Sequence, residues 1–483
     1  MKICMIAEGC YPYVVGGVSS WIQMMMTGLE SYDFEIYTIA AEVSQKGQFK
    51  YEFPVNMKAI HENFLLEGIV PNKKGKKKKR IPVEQAECLA RLVTSADSIP
   101  WKRIYEIIHA EWFDIEEYLG GYDFYDAAVE RYKRDGVMTG FSDYLWTLRS
   151  MYMPLLILLS KDIPKADLYH SASAGYAGII GAIGSAIYEK PFILSEHGIY
   201  TREREEELIR SKWTQGFFKE MWIRYFYTLS QFAYEQAGTV VSLFGKNAMI
   251  QRELGCPKEK IVIIPNGIAP SDYEGTPWRK TPNGFIDIGA IVRVTPIKDI
   301  KTMLAAFKEV QNKIKNARFH ILGPYDEDME YYAECLSLME QLNLQNCEMP
   351  GRVNISDYLA DMDIMVLTSI SEGQPLAILE GMICRKPWVS TNVGSCSELL
   401  NGMEGDHLGK AGLIVPVMDA VGIARAVIKL ADNERLRFDM GDIGYQRAAA
   451  FYKKEDMFDR YDKIYKDYLG LNQQDKRKRR RGR

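Results

Sequence analysis

No apolar run in the 483-residue chain reaches the roughly 18 residues that a membrane-spanning helix needs. The longest, Met151 to Leu159 and Ala174 to Tyr188, are short or rich in small residues. The opening MKICMIAEGC meets Glu8 too early for a signal-peptide core, reads instead as a first buried strand, and sets the expectation of a cytoplasmic protein. Cysteine pairs are missing as well. Cys4, Cys10, Cys88, Cys256, Cys335, Cys347, Cys384 and Cys396 are scattered without a CxxC, which reads as reduced structural thiols and gives no zinc site, so no metal is expected. There is no GxGxxG, which disfavours a nicotinamide cofactor. A basic face interleaved with aromatics is also lacking, which disfavours nucleic acid. Fourteen of the 61 basic residues lie in two runs, 73–80 and 476–483, so against 64 Asp and Glu the rest of the chain is acidic.

What is present is a globular composition on a chain too long for one core: 47% apolar and 26% charged residues suit two or three folded domains. Strand and helix patterns alternate at both ends. Lys2 to Ala7 reads as a strand, Gly16 and Gly17 as a loop that backbone can bring close to a phosphate or sugar, and Val18, Ile22, Met25 and Leu29 as one face of a helix. The alternation fades between residues 46 and 158, read here as an insertion, partly a helical cap and partly a basic loop. It resumes with His170 and His197 near strand ends, where α/β proteins place ligands. A charged helix, TREREEELIR, follows His197. Its Arg202 and Arg204 fit a solvated face, or an acceptor contact. The Pro- and Gly-rich stretch after IIPNGI reads as a linker, and a second αβ series restarts at FIDIGAIV. The expected fold is α/β with two doubly wound, Rossmann-like domains facing a cleft: residues 1–268 with the insertion at about 46–158, and residues 269–444. A helix at 445–470 would return to the N-terminal domain, and a basic tail fills 471–483.

Within the second series, DIMVLTSISEGQPLAILEGM reads as strand, loop and helix, with Pro375 at the first helical position and Glu372 and Glu380 on either side of the helix start. The free amides of a helix start can hold a phosphate. The ligand proposed for that start is a sugar nucleotide, although the spacing alone also fits a loop Glu and a surface Glu. Arg293 and Lys298 lie in a strand-to-helix loop, where two cations could neutralise a diphosphate leaving group. Each alone would be an ordinary surface charge.

EGCYPYVVGGVSSW, SEHGIYTRER, VIIPNGI, RVTPIKDIKT, GPYDEDMEYYAEC, PGRVNISDYL, SEGQPLAILEGM and TNVGSCSELL occur in this order over nearly the whole chain. Together they resemble the family-4 retaining glycosyltransferases of GT-B fold, and more closely the PelF-type enzymes of Pel exopolysaccharide biosynthesis. The resemblance implies a metal-independent hexosyltransferase that moves a hexose from a UDP-sugar, UDP-glucose foremost, to a growing biofilm exopolysaccharide. The UDP-sugar is a substrate, and no cofactor is implied. By the same resemblance Glu372 contacts hexose hydroxyls and Glu380 the ribose. The amides of Leu376 and Ala377, with Arg293 and Lys298, hold the diphosphate. Arg352 and Val353 flank the uracil, the Gly16–Gly17 loop closes on phosphate and sugar, and His197 touches the donor sugar. Where the family has Gly, aromatic, Gly after Glu372, this chain has Gly373, Gln374 and Pro375, and the histidine pair of some members survives only as His170, with Ala172 in the other place. Both departures bear on donor choice. A UDP-sugar epimerase and a non-catalytic nucleotide-sugar-binding subunit are the alternatives. Partners implied are a glycan acceptor and the subunits of a membrane synthase complex at the inner face of the membrane; the two basic runs, by their charge, either meet anionic lipid or an acidic partner of that complex or serve solubility alone.

Overall fold

The computed structural model describes residues 1–66, 80–95, 98–276 and 283–471. Most of the 73–80 basic run and all of the 476–483 run lie outside these residues, so the membrane and partner contacts expected of them have no structural counterpart here. Among the described residues no helix is long and apolar enough to cross a membrane.

Two compact units form, each around a parallel sheet. The first contains β1 (Lys2–Glu8), β2 (Asp33–Ala40), β3 (Met57–Phe64), β4 (Leu168–Ser171), β5 (Phe192–Glu196), β6 (Thr239–Ser242) and β7 (Ile261–Ile263) in the order β3-β2-β1-β4-β5-β6-β7. The second contains β8 (Ile286–Ile291), β9 (Ala317–Leu322), β10 (Cys347–Gly351), β11 (Ile364–Leu367), β12 (Trp388–Thr391) and β13 (Gly412–Val415) in the order β10-β9-β8-β11-β12-β13. Central strands such as β1 and β11 are continuous apolar runs because helices cover both faces of a parallel sheet. In each sheet the order reverses once, between β1 and β4 and between β8 and β11. Ligands of doubly wound sheets bind at the carboxyl ends of the strands beside such a reversal.

The insertion is shorter than the sequence implies. Residues 57–64 are not part of it: β3 pairs in parallel with β2 from Phe34↔Met57 to Ala40↔Phe64 and forms the sheet edge. Lys58, His61 and Glu62 on this edge strand break the apolar run that marks a central strand. The insertion proper is a helical layer from Val83–Val93 to Phe141–Leu159, packed into the first unit's core through Trp101, Tyr144, Leu148 and Leu155. The helix Tyr176–Tyr188 sits close to the sheet because its glycines carry no side chain. A Cβ on Gly181 would stand 2.4 Å from the Phe192 ring.

The C-terminal stretch is two helices, Glu434–Phe451 and Lys454–Tyr468, broken at Tyr452, so residues 445–451 belong to the second unit. Residues Tyr461 to Leu471 group with the first unit. There Tyr461 and Tyr465 are fully buried, Tyr461 is hydrogen-bonded to Ser195 at 3.0 Å, and Tyr32 donates to Asp462 at 2.8 Å. The division between the units falls at Ile263, ahead of the linker expected near residue 268, and residues 243–247 join the second unit.

Candidate functional site

The strand ends beside each reversal carry the chemistry. In the second unit the chain leaves β8 through Arg293 and a single 3₁₀ turn, Pro296–Lys298, and leaves β11 through Thr368 and Ser369 to Glu372. Because β8 and β11 are neighbours, these two loops meet. Lys298 Nζ lies 2.5 Å from Glu372 Oε1, which also accepts the Ser369 hydroxyl at 2.5 Å. Thr368 Oγ1 ties the loops together by donating to the carbonyls of Lys298 and Asp299. The Lys298 and Glu372 side chains are only 16% and 10% exposed, so the pair sits in a partly desolvated wall.

The TNVGSCSELL segment supports Glu372 from behind. Gly394 has a φ of +50°, and a Cβ there would stand 2.2 Å from the Gly373 carbonyl oxygen and 2.3 Å from that of Glu372. Ser395 N donates to the Gly373 carbonyl at 3.0 Å. The helix after Glu372 runs Leu376–Ile383 with Pro375 as its N-cap, one position earlier than expected. Its extended φ/ψ of −71° and 111° end the loop, and no side chain caps the helix. The Leu376 and Ala377 amides have no intrahelical acceptor and give the helix start its positive potential.

The other second-unit residues divide. Arg293 forks onto Glu327 at 2.7 and 2.5 Å and is 39% exposed, so an anion there competes with a carboxylate. Glu380 accepts from the Tyr273 hydroxyl, and burial raises its carboxyl above the usual carboxylate range. Arg352 is exposed and Val353 half-buried, directly after Gly351 at the end of β10. Gln374 is 8% exposed, and its side-chain oxygen accepts from Asn266 N at 2.6 Å, so it fastens a loop.

In the first unit Gly16 is the extended N-cap, and Gly17 the first residue, of the helix Gly17–Gly28; a Cβ on either would meet nothing within 4 Å. Their conformation therefore does not demand glycine, and what the pair provides is open space. His197 follows β5 with its ring 4.4 Å from that of Trp21. Burial holds its pKa down at about 3, so it is neutral, and its Nε2 finds no hydrogen-bond partner among the described residues. His170, by contrast, is spent on the core. Its Nδ1 is 2.6 Å from the Tyr465 hydroxyl, its Nε2 is 2.7 Å from Ser195 Oγ, and it is fully buried, which removes it from the ligand-binding candidates.

His197 lines a cavity of about 290 Å³ that the strand ends create, and most of its polar groups are not apparent from sequence spacing. Glu8 at the end of β1 accepts from Tyr200 Oη at 2.9 Å and Ala177 N at 3.0 Å, and burial raises its carboxyl. Glu196 accepts from Tyr234 Oη, Gln251 Nε2 and Tyr200 N, and burial pushes its carboxyl up to about 7. Arg204 lines the cavity, whereas Arg202 points to solvent at 51% exposure, 4.0 Å from Glu253. Helical spacing carries that distinction: Tyr200, Arg204 and Leu208 fall on one face, and Tyr200 and Leu208 are buried.

Residues 1–259 match the family described as Domain of unknown function (DUF3492), and residues 285–433 match Glycosyl transferases group 1. The chain is 26% identical over 175 residues to N-acetyl-alpha-D-glucosaminyl L-malate synthase of Bacillus anthracis, a match covering 36% of this chain and 43% of that one. It is 24% identical over 404 residues to the capsular polysaccharide biosynthesis glycosyltransferase CapM of Staphylococcus aureus, covering 78% and 96% respectively. The structure of Anabaena HepE in complex with UDP superposes with a TM-score of 0.61 at 13% identity, over 97% of this chain and all of that one; HepE has also been solved with UDP-glucose. At that identity the likeness is one of fold, the two-sheet GT-B architecture.

Proposed function

The chain belongs to the family described as Domain of unknown function (DUF3492), with a glycosyltransferase group 1 segment after it, and on that premise we propose that it is a retaining hexosyltransferase using a UDP-sugar, UDP-glucose foremost. The observation that carries this reading is the Lys298–Glu372 contact beside an uncapped helix start, at the strand-order reversal of the second sheet. A cation and a row of amides suit a diphosphate, and a carboxylate beside them suits sugar hydroxyls. The bond from the sugar C1 to the β-phosphate oxygen breaks, and its electrons pass to UDP, where Lys298, Arg293 and the helix start offset the charge. The acceptor oxygen bonds to C1 on the same face, and its proton passes to the departing phosphate oxygen. No carboxylate needs to become covalently attached.

The complexes of HepE with UDP and UDP-glucose, and the capsular polysaccharide role of CapM, support a UDP-sugar donor and a polysaccharide acceptor, and the Pel type of that polysaccharide rests on the sequence motifs alone. Glu8, Glu203 and Arg204 around the first unit's cavity are hydroxyl-binding groups that suit an acceptor sugar. A thermal-shift panel of UDP-glucose, UDP-galactose, UDP-N-acetylglucosamine, GDP-mannose and ADP-glucose tests the donor. UDP-glucose should stabilise most, by about 2.7 kcal/mol at a hundredfold excess over its Kd. Stabilisation by GDP-mannose or ADP-glucose alone would reject the uridine reading.

A further inference from the structure

Gln374 stands directly before Pro375, the N-cap of the helix Leu376–Ile383, and its side chain is spent within the protein. Its oxygen accepts from Asn266 N at 2.6 Å, with Gln374 8% and Asn266 5% exposed. A hydrogen bond in such buried surroundings is electrostatically stronger than one in water. The preceding residue is tied to a different segment, because Ser395 N donates to the Gly373 carbonyl at 3.0 Å. Two consecutive residues ahead of the helix cap are therefore fastened to two separate parts of the second unit.

The segment that holds Gln374 is itself fixed. A Cβ on Gly267, next to Asn266, would stand 2.4 Å from Lys454 Cα, so only glycine permits the close packing of these two stretches. Ile268 N donates to the Tyr452 carbonyl at 2.8 Å, and Lys454 N donates to the Ile268 carbonyl at 3.2 Å. A chain of bonds thus runs from Tyr452 and Lys454 through residues 266–268 to the residue before the helix cap, all of it inside the second unit.

The helix start needs such support. No side chain caps it, so nothing in its own first turn aims the free amides. A group that stabilises developing charge acts in proportion to how well it is aimed in advance, and a displacement of about 1 Å can cost about 100-fold.

We propose that Gln374 is a positioning residue, which acts through Asn266 to aim the Leu376 and Ala377 amides at the β-phosphate of the donor. This rests on the donor reading above, in which those amides and Lys298 hold the diphosphate. The side chain at 374 then sets how strongly the β-phosphate is gripped and leaves recognition of the nucleoside to other residues.

Isothermal titration of the full chain with UDP and with UMP, which lacks the β-phosphate, tests the assignment. The ratio of the two affinities isolates the grip on the β-phosphate, and UMP binding also reports that the second unit is folded. Gln374→Leu removes the acceptor, and Gln374→Asn withdraws it by one methylene. Both should narrow the UDP-to-UMP ratio by about tenfold, the loss expected when a buried amide is left without its acceptor, with UMP affinity unchanged. Lys298→Ala should narrow the same ratio and serves as the reference. A ratio narrowed by Lys298→Ala but by neither Gln374 variant would overturn the proposal and leave the donor reading standing. Loss of UDP and UMP affinity in equal proportion in both Gln374 variants would also overturn it, by giving Gln374 a general structural role. A ratio that none of the three variants moves would remove the diphosphate from this helix start and overturn the proposal together with the donor reading.

Discussion

Lys298→Ala is expected to lower UDP release from UDP-glucose by about 10²- to 10³-fold, the loss typical when one preorganised group that stabilises transition-state charge is removed. Two effects act in the same direction. The diphosphate loses the less exposed of its two proposed cations, at 16% against 39% for Arg293, and Glu372 loses its ion-pair partner at 2.5 Å. Arg293 is already engaged by Glu327, so Arg293→Ala should cost less than Lys298→Ala. Steady-state assay of released UDP, with unfolding followed in parallel to exclude loss of fold, checks this. Turnover in Lys298→Ala equal to that of the natural protein would remove Lys298 from the chemistry.

Arg447→Ala is expected to destabilise the second unit by about 3–5 kcal/mol, because it leaves a buried carboxylate without its cation. Arg447 and Asp406 form an ion pair with side chains 1% and 0% exposed. The guanidinium also donates to the carbonyls of Leu400, at 3.0 Å, Leu399, at 3.2 Å, and Gly409. Removing it strands Asp406 and those carbonyls together. Arg435→Ala is the control: its side chain is 92% exposed beside Asp439, and little change in stability is expected. Calorimetry should show the transition of the second unit moving down in Arg447→Ala. An unchanged melting profile would contradict the buried-pair account.

Much of the second unit was legible from sequence, for a physical reason. Strands covered on both faces are uninterrupted apolar runs, and the turns between them are marked by Gly, Pro and Ser, so β8, β11 and the helix after Pro375 stand out. The Lys298–Glu372 contact is different. The two residues are distant along the chain, and only the adjacency of β8 and β11, which follows from strand order, brings them together. In the first unit the edge strand β3 was hidden by its charged, half-buried pattern. Glu8 carried a usable signal: it is the first charged residue after an apolar strand, at the carboxyl end where doubly wound sheets bind ligands. His170 misled because a histidine at a strand end satisfies the same rule whether it faces a ligand or, as here, Tyr465 and Ser195.

The diphosphate of a UDP-sugar is predicted to sit at Lys298 and the start of the helix Leu376–Ile383. A crystal structure of the full chain with UDP tests it most directly. The β-phosphate is predicted within hydrogen-bonding distance of Lys298 Nζ and of the Leu376 and Ala377 amides, with the ribose hydroxyls on Glu380. UDP held away from Lys298 and that helix start, or the diphosphate gripped by the first unit alone, would contradict it.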